Sequence, residues 1–520
     1  MHIFIAFLFS VATLFVAAQP SIDVQHYRFQ VELSDASDAI LGQTLVTVKF
    51  LQDASVLQLN LAGLEEEKGM KAFLVKEGEA IQMATQSAGL LTVQLKKPAI
   101  KGEVRTFEIN YMGTPKDGLI IAKNKFGERT FFSDHWPNRA HQWLPVHDVP
   151  SDKASFEFVV IAPDKYSVIS NGVKLKEENL GNNRKRTHWK EETPLSTKIM
   201  AMGAARFAVK TYSNSPKGIP VSAWVYPQDS AQLFYDYGVA PSIVQFFSDY
   251  IAPFPYNKLA NVQSTTIFGG MENAGCIFYS EELVSGKRKS EGTVAHEIVH
   301  QWFGDAASEK SFAHLWLSEG FATYLTHYYF EKKYGRDSAT KLMQKDKEQI
   351  IAFARREKRP VVDSTTDLMS LLNANSYQKG GWVLHMLRQE VGDESFRQIL
   401  QVYYNQYKGS NADTRDFEAI AEKVSGKELT PFFDQWLFRP GIPELRLQTK
   451  IEQDEVKIKV EQVGSLYRLP LEIAITKIGG ETTLHTLVVE NKEATFKWQG
   501  KGPFKVEIDP GRKLLFAEVK

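Results

Sequence analysis

Two histidines stand four residues apart in Ala295-His296-Glu297-Ile298-Val299-His300, with a glutamate beside the first. On an α-helix, positions i and i+4 share one face, so both imidazoles can reach one ion. Glu297 sits about 100° round the helix from His296, placed to approach a metal-held water without being a ligand. A catalytic zinc usually takes three protein ligands and keeps one position open. A third donor comes from the next apolar segment, HLWLSEGFATYLTHYYFEKKYG, where Glu319 lies among Leu317, Phe321 and Ala322. A carboxylate in such a setting is costly unless paired or bound to metal. Taken singly, the histidines read as well as a pair on a packed helix, and Glu319 as a solvated carboxylate. Taken together, they supply the three ligands of one Zn2+ ion. Two neutral imidazoles and one carboxylate leave that ion with net positive charge, which acidifies a bound water. Glu297 then suits the general base that passes a proton to a leaving amine. The chemistry implied is metal-assisted hydrolysis of an amide.

The elements that must position these groups follow from periodicity. Residues 21 to about 210 alternate apolar and polar positions, as in HYRFQVEL and LTVQLKK. Turn signals such as Ser170-Asn171-Gly172 and Gly181-Asn182-Asn183 separate the runs, predicting an antiparallel β-sandwich. From about residue 230 helical spacing takes over, as in SAQLFYDYGVAPSIVQFFSDYI, SATKLMQKDKEQIIAFARRE, GGWVLHMLRQEVG and TRDFEAIAEKVSG, the last closing on Gly426. A strand-rich insert, LANVQSTTIFGGMENAGCIFYS, precedes the histidine helix. After Arg439-Pro440-Gly441 six short strands return, from ELRLQTKI to FKVEIDP, and predict a second β-sandwich. The expected division is a leader over 1–18, an amino-terminal β-sandwich over 19–210, a catalytic domain over 211–440 and a carboxy-terminal β-sandwich over 441–520.

The chain of 520 residues is too long for one core. Its 62 basic residues balance 62 acidic ones, which leaves no electrostatic footprint for nucleic acid. The basic runs Arg184-Lys185-Arg186 and Lys287-Arg288-Lys289 read as solvated loop charges. The opening MHIFIAFLFSVATLFVAAQP is an apolar stretch ending in small residues. It reads as a signal peptide cleaved after Ala18, although it lacks a charged start. No second run is long enough to cross a bilayer, so the expectation is a secreted or periplasmic protein with no membrane span in the mature chain. Cys276 is the single cysteine, so no internal disulfide forms, and it reads as a small buried hydrophobe.

Three motifs resemble the aminopeptidase N family of zinc peptidases, which also includes leukotriene-A hydrolase. They are His296-Glu297-x-x-His300 with 18 residues before Glu319, the upstream Gly269-Gly270-Met271-Glu272-Asn273, and Tyr377 in YQKGGWVLHML. FFDQWLFRPGIPEL resembles the family's exit from its catalytic domain. The resemblance covers nearly all the mature chain. It implies a thermolysin-like, mainly helical zinc domain between two β-sandwiches, and peptide substrates with a free amino terminus. It implies that Glu272 binds the substrate's α-amine and that Gly269 and Gly270 let backbone groups pair with the peptide. Met271 and Asn273 complete that segment. Tyr377 would hydrogen-bond the developing oxyanion.

Three departures stand out. Gly270 replaces the alanine of many relatives, a mild change by sequence. Asp134, five residues before Arg139, stands where the family usually has a longer Gln or Glu beside the amine. Larger relatives carry a helical carboxy-terminal domain over the cleft, and a more open cleft is expected here. Two other functions compete. A zinc endopeptidase would need no amine anchor, which Glu272 opposes. A non-catalytic peptide-binding protein with a structural zinc would be marked by loss of Glu297 or Tyr377, and both are present.

Overall fold

The computed structural model describes residues 21–519 except 66, 453, 478 and 502. The expected leader, with its cleavage after Ala18, lies outside the described residues. The amino-terminal portion is built on an eight-stranded sheet in the order 173–181, 184–195, 154–163, 22–32, 40–50, 104–114, 69–77 and 80–81. Strands 22–32 and 154–163 run parallel; the other pairs are antiparallel. Alternation explains the packing: Val24, Tyr27, Phe29 and Val31 bury one face of the first strand. A three-stranded sheet (54–60, 90–99, 83–87) and a four-stranded sheet (167–170, 202–205, 129–133, 119–123) complete this portion. The basic run Arg184-Lys185-Arg186 corrects the loop expectation. It starts a strand, and Arg184 and Arg186 pair with Glu32 and Glu178 at 2.6 and 2.7 Å.

A five-stranded mixed sheet follows, in the order 208–211, 221–225, 259–264, 276–280 and 270–271. Its edge is Gly270–Met271, antiparallel to 276–280. The central strand 259–264 is buried on both faces, as flanking layers require. The longer helices are α1 (Ser230–Asp236), α2 (Ala240–Tyr250), α3 (Glu291–His300), α4 (Trp316–Tyr334), α5 (Arg336–Arg356), α6 (Gly380–Val391), α7 (Asp393–Tyr407) and α8 (Thr414–Ser425). Every residue of α4 from Trp316 to Tyr329 is buried, consistent with a helix apolar around most of its circumference. The crossing of α4 and α6 is close because both carry glycine there. A Cβ on Gly320 would sit 2.9 Å from the Gly380 Cα.

Beyond residue 440 two sheets face each other, 493–499/455–463/444–451/517–518 and 482–489/469–477/504–508. Their inner faces bury Leu445, Val456, Ile458, Leu471, Ile473 and Ile475. The three-part order is the one expected: a β-rich start, a mainly helical middle and a β-rich end. Cys276 is buried and free, as its reading as a small hydrophobe requires.

The amino-terminal and middle portions are joined through charge as well as apolar contact. Lys198 and Glu309 form an ion pair with both side chains almost fully buried. Lys153 donates from Nζ to the carbonyls of Asp305 and Ala306 at 3.1 and 2.9 Å.

Candidate active site

Helices α3 and α4 run in opposite directions, since Tyr329, Lys333 and Tyr334 near the end of α4 hydrogen-bond Glu291 at the start of α3. The other end of the pair therefore brings the histidines to the first turn of α4. His296 Nε2 and His300 Nε2 lie 3.2 and 3.3 Å from Glu319 Oε2. The three donor atoms all fall within 4.8 Å of one another. Ligands tetrahedrally placed about 2.0–2.1 Å from zinc stand about 3.3 Å apart, so two imidazoles and a carboxylate at these spacings fit that ion. His300 turns its Nδ1 to the Phe303 carbonyl, 3.2 Å away, and to the Ser318 hydroxyl, 3.0 Å away. These contacts aim Nε2 at the site.

The electrostatics fit a cation too. Burial alone would lower His300, but Glu319, Glu272 and Glu297 push it up to about 10. Burial resists ionisation of Glu319, and His300 and His296 overcome it, holding Glu319 well below the usual carboxylate range. Burial, reinforced by Glu272 and Glu319, pushes Glu297 well up. Three carboxylates against two histidines make an excess of negative charge that a dication offsets.

Glu297 lies against the edge strand. A Cβ built on Gly270 would fall 2.2 Å from Glu297 Oε1. A side chain at 270 would thus require the Glu297 carboxylate to shift. Tyr377 sits in one π-helical turn, 375–379, that leads into α6. Its ring stacks on His296, with centroids 6.0 Å apart and planes at 11°. Burial and then Glu319 push its hydroxyl far above its ordinary value, so it remains a proton donor.

Glu272 is buried beside these groups, and its Oε1 meets no hydrogen-bond partner among the described residues. Gln301, which sequence reasoning missed, fixes its backbone. The Gln301 amide donates to the Glu272 carbonyl at 2.9 Å and to Asp305 Oδ2 at 3.0 Å, and its Oε1 accepts from Gly275 N at 2.6 Å. Its position directly after His300 on α3 was the available signal.

One cavity of about 420 Å³ gathers His296, His300, Glu319, Glu297, Tyr377, Gly269, Gly270, Met271 and Glu272. Asn273 and Asp134 are not on its wall. Asn273 is buried behind it, its carbonyl accepting from Cys276 N at 2.9 Å. Asp134 Oδ1 accepts from Arg139 at 2.6 Å, and Oδ2 accepts from the Thr266 hydroxyl and Ile267 N at 3.0 and 3.2 Å. Oδ2 of Asp134 thus holds the 266–268 segment in place, while Oδ1 is taken by Arg139. The wall also includes Trp136, Phe268, Thr293, Thr323, Leu372 and Gln378, which long-range packing brings in and no local pattern marks.

Known proteins share this construction. A model of the peptidase M1 N-terminal domain matches residues 23–199, and one of the peptidase family M1 domain matches residues 235–436. Glutamyl aminopeptidase of Rattus norvegicus is 28% identical over 336 residues, 61% of this chain and 35% of that protein. A probable aminopeptidase 2 of Sulfurisphaera tokodaii is 26% identical over 392 residues, 71% of this chain and 50% of that one. The chain thus spans between a third and a half of the length of these relatives. The crystal structure of Legionella pneumophila aminopeptidase A in complex with aspartic acid superposes with a TM-score of 0.83 at 17% identity, over 96% of this chain and 60% of that one. That likeness shows a shared fold. Two models of one family, side by side across most of the described residues, show that the chain belongs to peptidase family M1.

Proposed function

We propose that this protein is a zinc aminopeptidase that hydrolyses the first peptide bond of peptides with a free amino terminus. The observation that carries the reading is the buried, unpartnered Oε1 of Glu272 in the same cavity as the His296, His300 and Glu319 donors. Buried acceptors are almost always satisfied, and a substrate α-ammonium is the donor that would satisfy this one. His296, His300 and Glu319 would hold one zinc ion, which when bound supplies Lewis acidity and an acidified water. Glu297 takes a proton from the attacking water and delivers it to the leaving amine. Tyr377 donates its hydroxyl hydrogen to the oxyanion that develops at the scissile carbonyl. Glu272 fixes the amine and thereby selects the first bond.

We propose domain limits near residues 210 and 440. The five-stranded sheet that supports the site begins at 208–211, and strands resume at 444–451. Among the described residues no helix is long and apolar enough to cross a membrane. The sequence of residues 1–18 supports export to the periplasm or exterior.

The test is a peptide with a free terminus against its acetylated twin, with and without chelator, the products read by mass spectrometry. Single residues should be released from the free peptide alone, and chelation should stop release. Equal cutting of the acetylated peptide, or cuts at internal bonds, would transfer the reading to an endopeptidase.

A further inference from the structure

The cavity walls differ in kind. Along α3 and α4 they are polar, with Thr293, Thr323, Thr326 and His327. Thr323 lies one helical turn beyond Glu319, and Thr326 and His327 two turns beyond, about 6 and 11–12 Å along the axis. The same cavity also has an apolar set on its wall, Trp136, Phe268, Met271 and Leu372, with Met271 next to Glu272 in the chain. Trp136 meets Phe268 edge to face with centroids 6.0 Å apart, and it packs on Phe312 at the same distance. The ring is thereby held on both sides.

Charge is distributed with equal asymmetry. Among the described residues lining the cavity no lysine or arginine occurs, while Glu272, Glu297, Glu319 and Asp346 contribute four carboxylates. The cation behind the apolar wall is Arg139, whose guanidinium lies 5.6 Å from the centroid of the Phe268 ring. Its donors are engaged: Nη2 with Asp134 at 2.6 Å, Nη1 with Asp117 at 2.8 Å and Nε with the Trp136 carbonyl at 2.7 Å.

A substrate whose amine is held by Glu272 carries its first side chain on the carbon next to that amine. Met271 immediately precedes Glu272, and Phe268, four residues before it, lines the same cavity, which puts apolar wall within reach of that side chain. A carboxylate placed there would lose its hydration, meet no lysine or arginine on the wall and face Glu272. An apolar side chain would instead bury its surface against Trp136, Phe268 and Met271.

Resting on the aminopeptidase reading, we propose that the enzyme removes large apolar first residues, such as leucine, methionine and phenylalanine, and rejects glutamate and aspartate. The experiment measures kcat/KM of the zinc-loaded full chain on leucyl, methionyl, phenylalanyl, alanyl, glutamyl and aspartyl anilides. The apolar substrates should exceed the acidic ones by at least about 100-fold, because an unpaired group in a pocket without a partner is strongly rejected. In Gln378→Arg, a cation placed on the wall should shrink that ratio by about 10-fold or more. In Trp136→Ala, the phenylalanyl-to-alanyl ratio should fall by about 10-fold, since part of the apolar wall is gone. Acidic substrates cut as well as or better than apolar ones would overturn the inference while leaving an aminopeptidase in place. Failure to cut any of the six would overturn the aminopeptidase reading, and the inference with it. The wild-type panel decides the matter even if either variant misfolds.

Discussion

Single side chains separate holding a metal from using it. Glu297 neighbours His296 in sequence but is absent from the converging donor set, which His296, His300 and Glu319 form. Glu297→Gln should therefore retain zinc by metal analysis and lose about 10²–10⁴-fold in turnover, the usual contribution of a positioned general base. Glu319→Ala should lose the metal itself, because it removes one of three ligands. Metal lost from both variants, or kept in both, would refute this division of labour. Tyr377 makes a different prediction. Its hydroxyl is assigned to a charge that exists only late in the reaction, so Tyr377→Phe should lower kcat by about 3 kcal/mol of barrier and barely change ground-state inhibitor binding. Equal losses in both would give Tyr377 a packing role through its stack on His296.

Elements explain why some of this could be read from the chain and some could not. The histidine helix and the glutamate helix were legible because period and chemistry coincide: a carboxylate in α4, amid a run of buried residues, demands a partner. Strands of both β-rich portions were legible from alternation. The edge strand Gly270–Met271 is two residues long, too short for any period, and only its pairing with 276–280 defines it. Trp136 and Leu372 reach the cavity across more than 200 residues of chain, and nothing local marks them. Gln301 looked like an ordinary polar residue following a histidine. The contacts of Asp134 were not legible in the sequence, because Arg139 and the 266–268 segment reach its oxygens through tertiary contact alone. The α4–α6 crossing gives an elemental prediction. Gly320→Ala places a methyl against the Gly380 backbone, and such overpacking costs about 1–3 kcal/mol. Thermal denaturation should show the lowered midpoint, with activity falling too, since α6 carries the Tyr377 turn at its start. An unchanged midpoint would mean that the crossing tolerates more separation than the structure suggests.

At the scale of the whole molecule, buried polar groups set the conditions under which the portions stay together. His135 is sealed between Thr197, whose carbonyl lies 3.1 Å from Nδ1, and Trp143, whose indole donates to Nε2 at 2.9 Å. Accepting at Nε2 and donating at Nδ1 fixes a neutral ring. Burial is the chief cause that pulls His135 down to about 4 from an ordinary 6.5. The unfolded chain then binds the proton first, so stability is complete above about 6.5 and falls as pH drops toward 4, by about 3 kcal/mol from this group. Urea midpoints at pH 7 and 4.5 should converge in His135→Gln relative to wild type; parallel losses in the two proteins would remove His135 from the account. The seam between Lys198 and Glu309, with Lys153 on the Asp305 and Ala306 carbonyls, bears on modularity. Glu309 lies in the catalytic portion, yet its counter-charge is supplied from the other side of the seam. A chimera grafting a foreign amino-terminal half onto this catalytic half would keep every metal donor and strand a buried anion, unless the graft brought a lysine to the same spot. Transplantable activity in this protein is therefore a property of two halves inherited together.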